Sequence, residues 1–314
     1  MRQHKNKSIC STFINYMATS TNFKGFVLAI TAATLWGVSG TFGQFLFEQR
    51  AINVEWLISV RMLSAGILFL LFSILKKENI GAIWREKKDR HQLFVFSILG
   101  MLAVQYTYFA AVKQSNAATA TVLQYLGPIF IAIYFAVKNR RLPAPIEYLA
   151  IFLAVLGTFL LVTHGDPSTL AISNTALFLG IASALALAFY TIYPLRLLHR
   201  HNSALVIGWA MLIGGLILSF FKAPWDVEGI WDTYTYSYIA FIIVLGTLIP
   251  FYAYLTAVKQ IGAQKSSLLA SAEPLSATIV AVLWLQIPFS LIDWIGSLCI
   301  VSTIFLLSLT KSNS

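Results

Sequence analysis

Ten stretches of this chain, at roughly 25–46, 56–75, 93–112, 117–137, 147–163, 175–195, 204–221, 237–258, 266–286 and 292–309, are apolar and nearly free of charge. Each is close to the roughly 20 residues that a helix needs to cross a hydrocarbon core about 30 Å thick. Such runs cannot all be hidden inside a water-soluble globule. Of the 314 residues 58% are hydrophobic and only 11% charged, too little polar surface to coat a protein of this size. The expected fold is therefore an all-α polytopic membrane protein with ten transmembrane helices and the lipid bilayer as its main partner. The connections, mostly short, carry no pattern of an added soluble domain.

The charges fix an expected orientation. Lys and Arg number 22 against 12 Asp and Glu, for a formal net charge of +10. In a soluble protein that excess would suggest nucleic acid, but in a membrane protein it follows from the preference of basic loops for the cytosol, so no nucleic-acid partner is expected. Arg50, Lys113 and Lys222 fall on one side and Arg61 within a span; the other basic residues share the opposite side. Both termini are thus expected in the cytosol, residues 1–23 as an amino-terminal tail without a cleaved signal and 310–314 as a short carboxy-terminal one. His199 and His201 lie beside Arg196 and Arg200, which reads as a solvated basic loop. With two cysteines and no metal-ligand spacing, neither a metal nor another cofactor is expected. Walker, His-Glu-x-x-His and Gly-x-Ser-x-Gly patterns are absent from the sequence, so the chain is not read as an enzyme or as a hydrolase of ATP.

An internal repeat organises the spans. Tyr106-Thr-Tyr-Phe-Ala-Ala-Val-Lys-Gln114 returns as Tyr252-Ala-Tyr-Leu-Thr-Ala-Val-Lys-Gln260, and the same shift of 146 carries Ala117 to Ala263, Leu123 to Leu269, Pro128 to Pro274 and Glu147 to Asp293. A constant shift across two spans and their linker indicates duplication. Two five-span halves, 24–163 and 174–309, follow. Because five is odd, the second half enters the membrane inverted, which is the arrangement on which alternating access is built.

The ten spans, the Leu123-Gln-Tyr-Leu-Gly-Pro128 and Ala270-Ser-Ala-Glu-Pro274 segments, and Trp294-Ile-Gly-Ser-Leu-Cys-Ile300 resemble the EamA-type branch of the drug/metabolite transporter superfamily over residues 24–309. Many members carry a Gly-Glu pair just after spans four and nine, where this chain has Arg140-Arg141 and Gln286-Ile287. The resemblance implies a plasma (inner) membrane carrier, often an exporter of amino acids or other small metabolites, with its pocket between the halves. The rival expectations are efflux of lipophilic cations and, outside transport, an intramembrane enzyme or a non-transporting scaffold.

Charge inside hydrocarbon is expensive, and two side chains stand out. Glu273 lies about 12 Å past Lys265 at 1.5 Å per residue, next to Pro274, which breaks helix continuity. It is the candidate to carry coupling protons or to meet a substrate amine; its other reading is a structural acid bonded across helices. Arg61, about 8 Å inside the outer end of span two, is the candidate for an anionic or carboxylate group, with snorkelling to the boundary as its alternative and Glu48 or Glu55 as partners. Trp36, Gln44, Gln105, Tyr108, Gln124, Tyr125, Tyr190 and Tyr193 bring polar or amphipathic groups into spans one, three, four and six. Gly127 with Pro128, and Ala270 with Pro274, mark expected helix breaks and pocket walls. Trp56, Trp84, Trp225, Trp231 and Tyr234 read as an interfacial aromatic belt.

Overall fold

The computed structural model describes residues 2–140, 145–163, 172–270 and 272–309, and every regular element among them is helical. Helix α1 (Arg2–Gln49) runs without interruption from the amino-terminal segment into the first apolar run, followed by α2 (Val54–Leu75). The third run is α3 (Lys87–Val95), a π-helical segment (Phe96–Leu102) and α4 (Ala103–Gln114). The fourth is split into α5 (Ala117–Gln124) and α6 (Gly127–Lys138), and α7 (Pro145–Thr163) ends the first half. Then come α8 (Asn174–Ile192), the short α9 (Leu195–Arg200) and α10 (Ser203–Ser219). The eighth run is α11 (Thr233–Ile243), a π-helical segment (Val244–Leu248) and α12 (Ile249–Ile261). The ninth is split into α13 (Ala263–Leu269) and α14 (Ala272–Trp284), and α15 (Leu291–Leu309) completes the bundle. The tail 310–314 lies outside the described residues.

Helix starts are written in the sequence. Asn53, Asn116, Ser173 and Asp232 each accept a first-turn backbone N–H through the side chain, at 2.7–3.1 Å, satisfying donors that would otherwise enter the bundle unpaired. Seven helical stretches are long and apolar enough to cross a membrane, and three shorter apolar ones lie in α7, α10 and α15. Their outward faces are apolar as well: Ile67 and Leu71 on α2, Phe152 and Val155 on α7 and Leu298 on α15 are exposed, as side chains facing lipid should be.

The main helix contacts join residues before 164 to residues after 173: α2 with α10, α7 with α15, α1 with α12 and α14, and α4 with α8. These recur under the shift of 146, which turns α1 against α12 into α8 against α4. Close approach is what glycine permits here. A Cβ on Gly157 would come within 2.5 Å of the Gly296 carbonyl, and one on Gly66 within 2.7 Å of the Leu212 nitrogen, so α7 meets α15 and α2 meets α10 almost backbone to backbone.

The helices are interrupted beside Gly127 and at Ala270, on the amino-terminal side of Pro128 and Pro274. The interruptions fall at Tyr125–Leu126 and around Ala270, and Pro128 and Pro274 open the following half-helices. A proline lacks the N–H that would bond four residues back, so the gap opens at the carbonyls of Gln124 and Ala270 and the proline itself sits comfortably in a first turn.

Candidate functional site

A cavity of about 440 Å³ lies where the interrupted helices meet the π-helical spans. Trp36 and Ser39 of α1, Arg61 of α2, Gln105 and Tyr108 of α4 and Gln124 of α5 line it from the first half. Leu187 and Tyr190 of α8, Phe251 of α12 and Glu273 of α14 line it from the second. Its walls are largely aromatic: Trp36 meets Phe251 and Tyr254 at 5.1 and 5.2 Å between ring centroids, and Tyr190 stacks on Tyr254 at 6.0 Å.

Arg61 is 2% exposed, so it does not snorkel, and the expected Glu48 and Glu55 are not its partners. Gln44 holds Glu48 at 2.9 Å, and Glu55 lies in the first turn of α2. Arg61 reaches instead across the interface: Nε donates to Thr247 Oγ1 at 3.0 Å, Nη2 approaches the Gly246 carbonyl at 3.4 Å, and the guanidinium lies 4.8 Å from the Phe109 ring centroid. Both acceptors belong to the second π-helical segment, where the Thr247 hydroxyl bonds five residues back to Ile242. Nη1 has no protein partner, and none of the ion pairs among the described residues includes Arg61.

Glu273 is 4% exposed. The Tyr125 hydroxyl lies 3.2 Å from its Oε2 and donates to the carbonyl of Ala270. Ser276, on the next turn, donates to the Glu273 carbonyl at 2.9 Å. Two further polar pairs complete the wall, Tyr108 with Thr121 at 2.9 Å and Gln124 with Ser183 at 2.6 Å. Trp36 Nε1, Ser39 Oγ, Gln105 Oε1 and Tyr190 OH have no protein partner although buried. Buried polar groups are normally paired, so four unpaired ones and an unpaired guanidinium edge around one cavity leave it with hydrogen-bonding capacity that a polar ligand could take up.

Of the residues singled out from the sequence, Trp36, Arg61, Gln105, Tyr108, Gln124, Tyr190 and Glu273 line this cavity, and Tyr125 stands behind Glu273. Tyr193 does not. It stacks on Phe189 at 4.5 Å and borders a separate basic cleft with Lys87, His91 and Arg196, because the α8 helix ends at Ile192 and the chain turns there. Gly127 and Ala270 mark breaks but not cavity walls: Gly127 packs on Ala184 and Leu187, and Ala270 is buried beneath Tyr125. Gln44 accepts the Ala117 N–H at 2.9 Å and so fastens the start of α5. Ser39, Phe109 and Phe251 were not anticipated; Ser39 lies one helical turn from Trp36, and that spacing was the available signal. His201 is no free member of a solvated loop, since its Nε2 is 3.0 Å from Asp89. Trp56 is buried rather than interfacial, donating to the Pro224 carbonyl at 2.9 Å.

Comparison with known proteins gives the site a context. The EamA-like transporter family model matches residues 23–163 and again 174–309. The uncharacterized inner membrane transporter YicL of Salmonella typhimurium is 43% identical over 289 residues, covering 91% of this chain and 95% of its own. The uncharacterized transporter YetK of Bacillus subtilis is 25% identical, covering 91% and 87%. The threonine/homoserine exporter RhtA of Salmonella typhimurium is 23% identical over 64% of this chain and 66% of its own. A solved crystal structure superposes with a TM-score of 0.62 at 17% identity, covering 94% of this chain and 97% of the other, and shares the fold.

Proposed function

The chain belongs to the EamA-like transporter family of drug/metabolite transporters and is a multi-pass membrane transporter, and on that premise we propose that it is a secondary carrier exporting a small zwitterionic metabolite, an amino acid or a close relative, across the plasma (inner) membrane. The observation that carries this reading is that one cavity is lined by both Arg61, which lacks a carboxylate partner among the described residues, and Glu273. An isolated charge in a low-dielectric interior is costly. A substrate carboxylate on Arg61 and an ammonium on Glu273 offset that cost together, and the aromatic walls take the apolar remainder. The name of RhtA supports the amino-acid class. Efflux of lipophilic cations fits Glu273 and the aromatic rings but places the cargo beside the Arg61 charge, which disfavours it.

The same reading takes ten spans, the seven long apolar helices and the three shorter ones in α7, α10 and α15, as two inverted repeats, 24–163 and 174–309, with both termini cytosolic. What supports it is the recurrence, at a shift of 146, of the helix breaks, the π-helical segments and the helix contacts. Transport then proceeds by rocking of the halves about the cavity. Glu273 is also the coupling candidate, since bound ammonium and bound proton exclude one another there and occupancy of each disfavours the other. The test is flux of labelled amino acids, amines and sugars into proteoliposomes. Saturable amino-acid flux, lost in Arg61→Met, is the expected result. A carrier that moves only organic cations, unaffected by Arg61→Met, would refute it.

A further inference from the structure

The repeat leaves a mark outside the cavity. The shift of 146 carries Arg50 to Arg196 and Glu86 to Asp232. Arg50 Nη2 lies 3.0 Å from Asp232 Oδ2, and Arg196 Nη2 lies 3.9 Å from Glu86 Oε2. These are the same ion pair made twice, each joining one half of the chain to the other. A second contact repeats likewise. Trp56 Nε1 donates to the Pro224 carbonyl at 2.9 Å, and Asn202 Nδ2 donates to Glu78 Oε1 at 2.6 Å; the shift carries 56 to 202 and 78 to 224. One set closes the end of the bundle near residues 49–56 and 224–232, the other the end near 78–89 and 196–202. With the halves inverted, these are opposite faces of the membrane.

We propose that the two ion pairs are the gates of the transport cycle, Arg50–Asp232 closing one face and Glu86–Arg196 the other, each opening in alternation; this rests on the alternating-access reading above. The gates are unequal. On the second face Asp89, 1% exposed, also accepts from Arg196 at 3.2 Å and from Arg200 at 3.0 Å, with His201 3.0 Å away, and Arg200 also holds Glu86. The shift replaces Asp89, Arg200 and His201 with Thr235, Val54 and Glu55, so the first face has no such charge network and adds to its ion pair the Ile230 N–H donated to the Arg50 carbonyl at 2.8 Å. Both pairs are made in this structure, and the larger charge network makes the Glu86 face the harder of the two to open.

The test needs no substrate. In a Cys10→Ser, Cys299→Ser background, Ser39→Cys places a thiol on the cavity wall, and a membrane-impermeant maleimide is applied to vesicles of either orientation. In the parent, labelling from the Arg50 face is the faster. Asp232→Asn raises that rate about two- to fivefold, the population shift expected from losing a partly exposed pair, and lowers the rate from the Glu86 face. Glu86→Gln with Asp89→Asn does the opposite and more strongly. The exchange Arg50→Asp with Asp232→Arg restores the parent rates, which a merely structural role would not require, and Arg50→Gln breaks the same pair should Asp232→Asn insert poorly. Rates that change together on both faces, or not at all, overturn the gates while leaving the cavity on the path. A thiol reached from neither face in any variant removes the cavity from the path, and the proposed function and the gates fall together.

Discussion

Replacing Tyr125 with Phe tests whether one hydroxyl fastens the two helix breaks to each other. Tyr125 sits at the break of the first half and is 1% exposed; its hydroxyl donates to Ala270, at the break of the second half, and lies 3.2 Å from Glu273 Oε2. Pro274 cannot supply the N–H that would normally reach Ala270, whose carbonyl also accepts from the Glu273 N–H at 3.0 Å. Phe keeps the ring and the packing, so the loss is confined to the hydroxyl and its two acceptors. One buried hydrogen bond is worth about 1 kcal/mol net and bonds between membrane helices about 0.6–2 kcal/mol, so Tyr125→Phe should destabilise by about 1–2 kcal/mol. The assay is unfolding in mixed micelles at increasing SDS fraction. A double-mutant cycle with Glu273→Leu should show a coupling of about 0.5–1 kcal/mol. A Tyr125→Phe protein within about 0.3 kcal/mol of the parent, strictly additive with Glu273→Leu, would refute the fastening.

Three further outcomes are expected. Glu273→Gln keeps size and hydrogen bonding but does not titrate, so it should abolish pH-driven accumulation in reconstituted vesicles while sparing counterflow; full pH-driven uptake with unchanged affinity would make the acid structural only. Cysteines at Lys113 and Lys222 should react with impermeant reagents from outside intact cells and those at Arg140 and Lys259 should not; labelling at Arg140 would reverse the orientation. The Asp232 carboxyl is held below the usual range first by the Thr235 N–H and also by Arg50. A lowered value in the folded state means its contribution is complete above about pH 4 and is lost only as pH falls through that lowered value. Because the thiolate is the reacting form, both rates fall as pH falls, but the ratio of the Asp232→Asn rate to the parent rate should stay constant from pH 8 to about pH 5, and a ratio that approaches one across that interval would contradict the pair.

The apolar helices, seven of them long enough to cross a membrane among the described residues, were legible because lipid imposes one requirement, an apolar run of fixed length, on consecutive residues. The helix breaks were legible from Gly127-Pro128 and from Ala270 with Pro274, and they lie on the amino-terminal side of each proline because the broken bond belongs to the carbonyl four residues earlier. Glu273 and Arg61 stood out because a charge in an apolar run is an anomaly of the local sequence. The partners of Arg61 could not be read that way: Thr247 is 186 residues distant, and which carbonyls a π-helical segment frees is decided by backbone geometry. Tyr193 was misplaced for a related reason, because its face depends on where α8 ends. Asp89 went unnoticed because one acid amid Lys87, Lys88 and Arg90 reads as ordinary loop charge until α9 lies beside it.

The π-helical segments bear on the numbering of the two stretches that contain them. Such a segment is in effect one residue inserted into an α-helix, and an insertion displaces the numbering of everything that follows. The shift is 146 before these segments, from Arg50 to Arg196 and from Glu86 to Asp232, and still 146 after them, from Ala117 to Ala263 and from Pro128 to Pro274. The two stretches therefore hold the same number of residues across this span, and each contains one such widened turn. The wider turn that presents Gly246 and Thr247 to Arg61 thus has a counterpart at Phe96–Leu102, whereas Arg61, which the shift pairs with Ile207, has none: the two stretches match in backbone and length here and differ in the side chain.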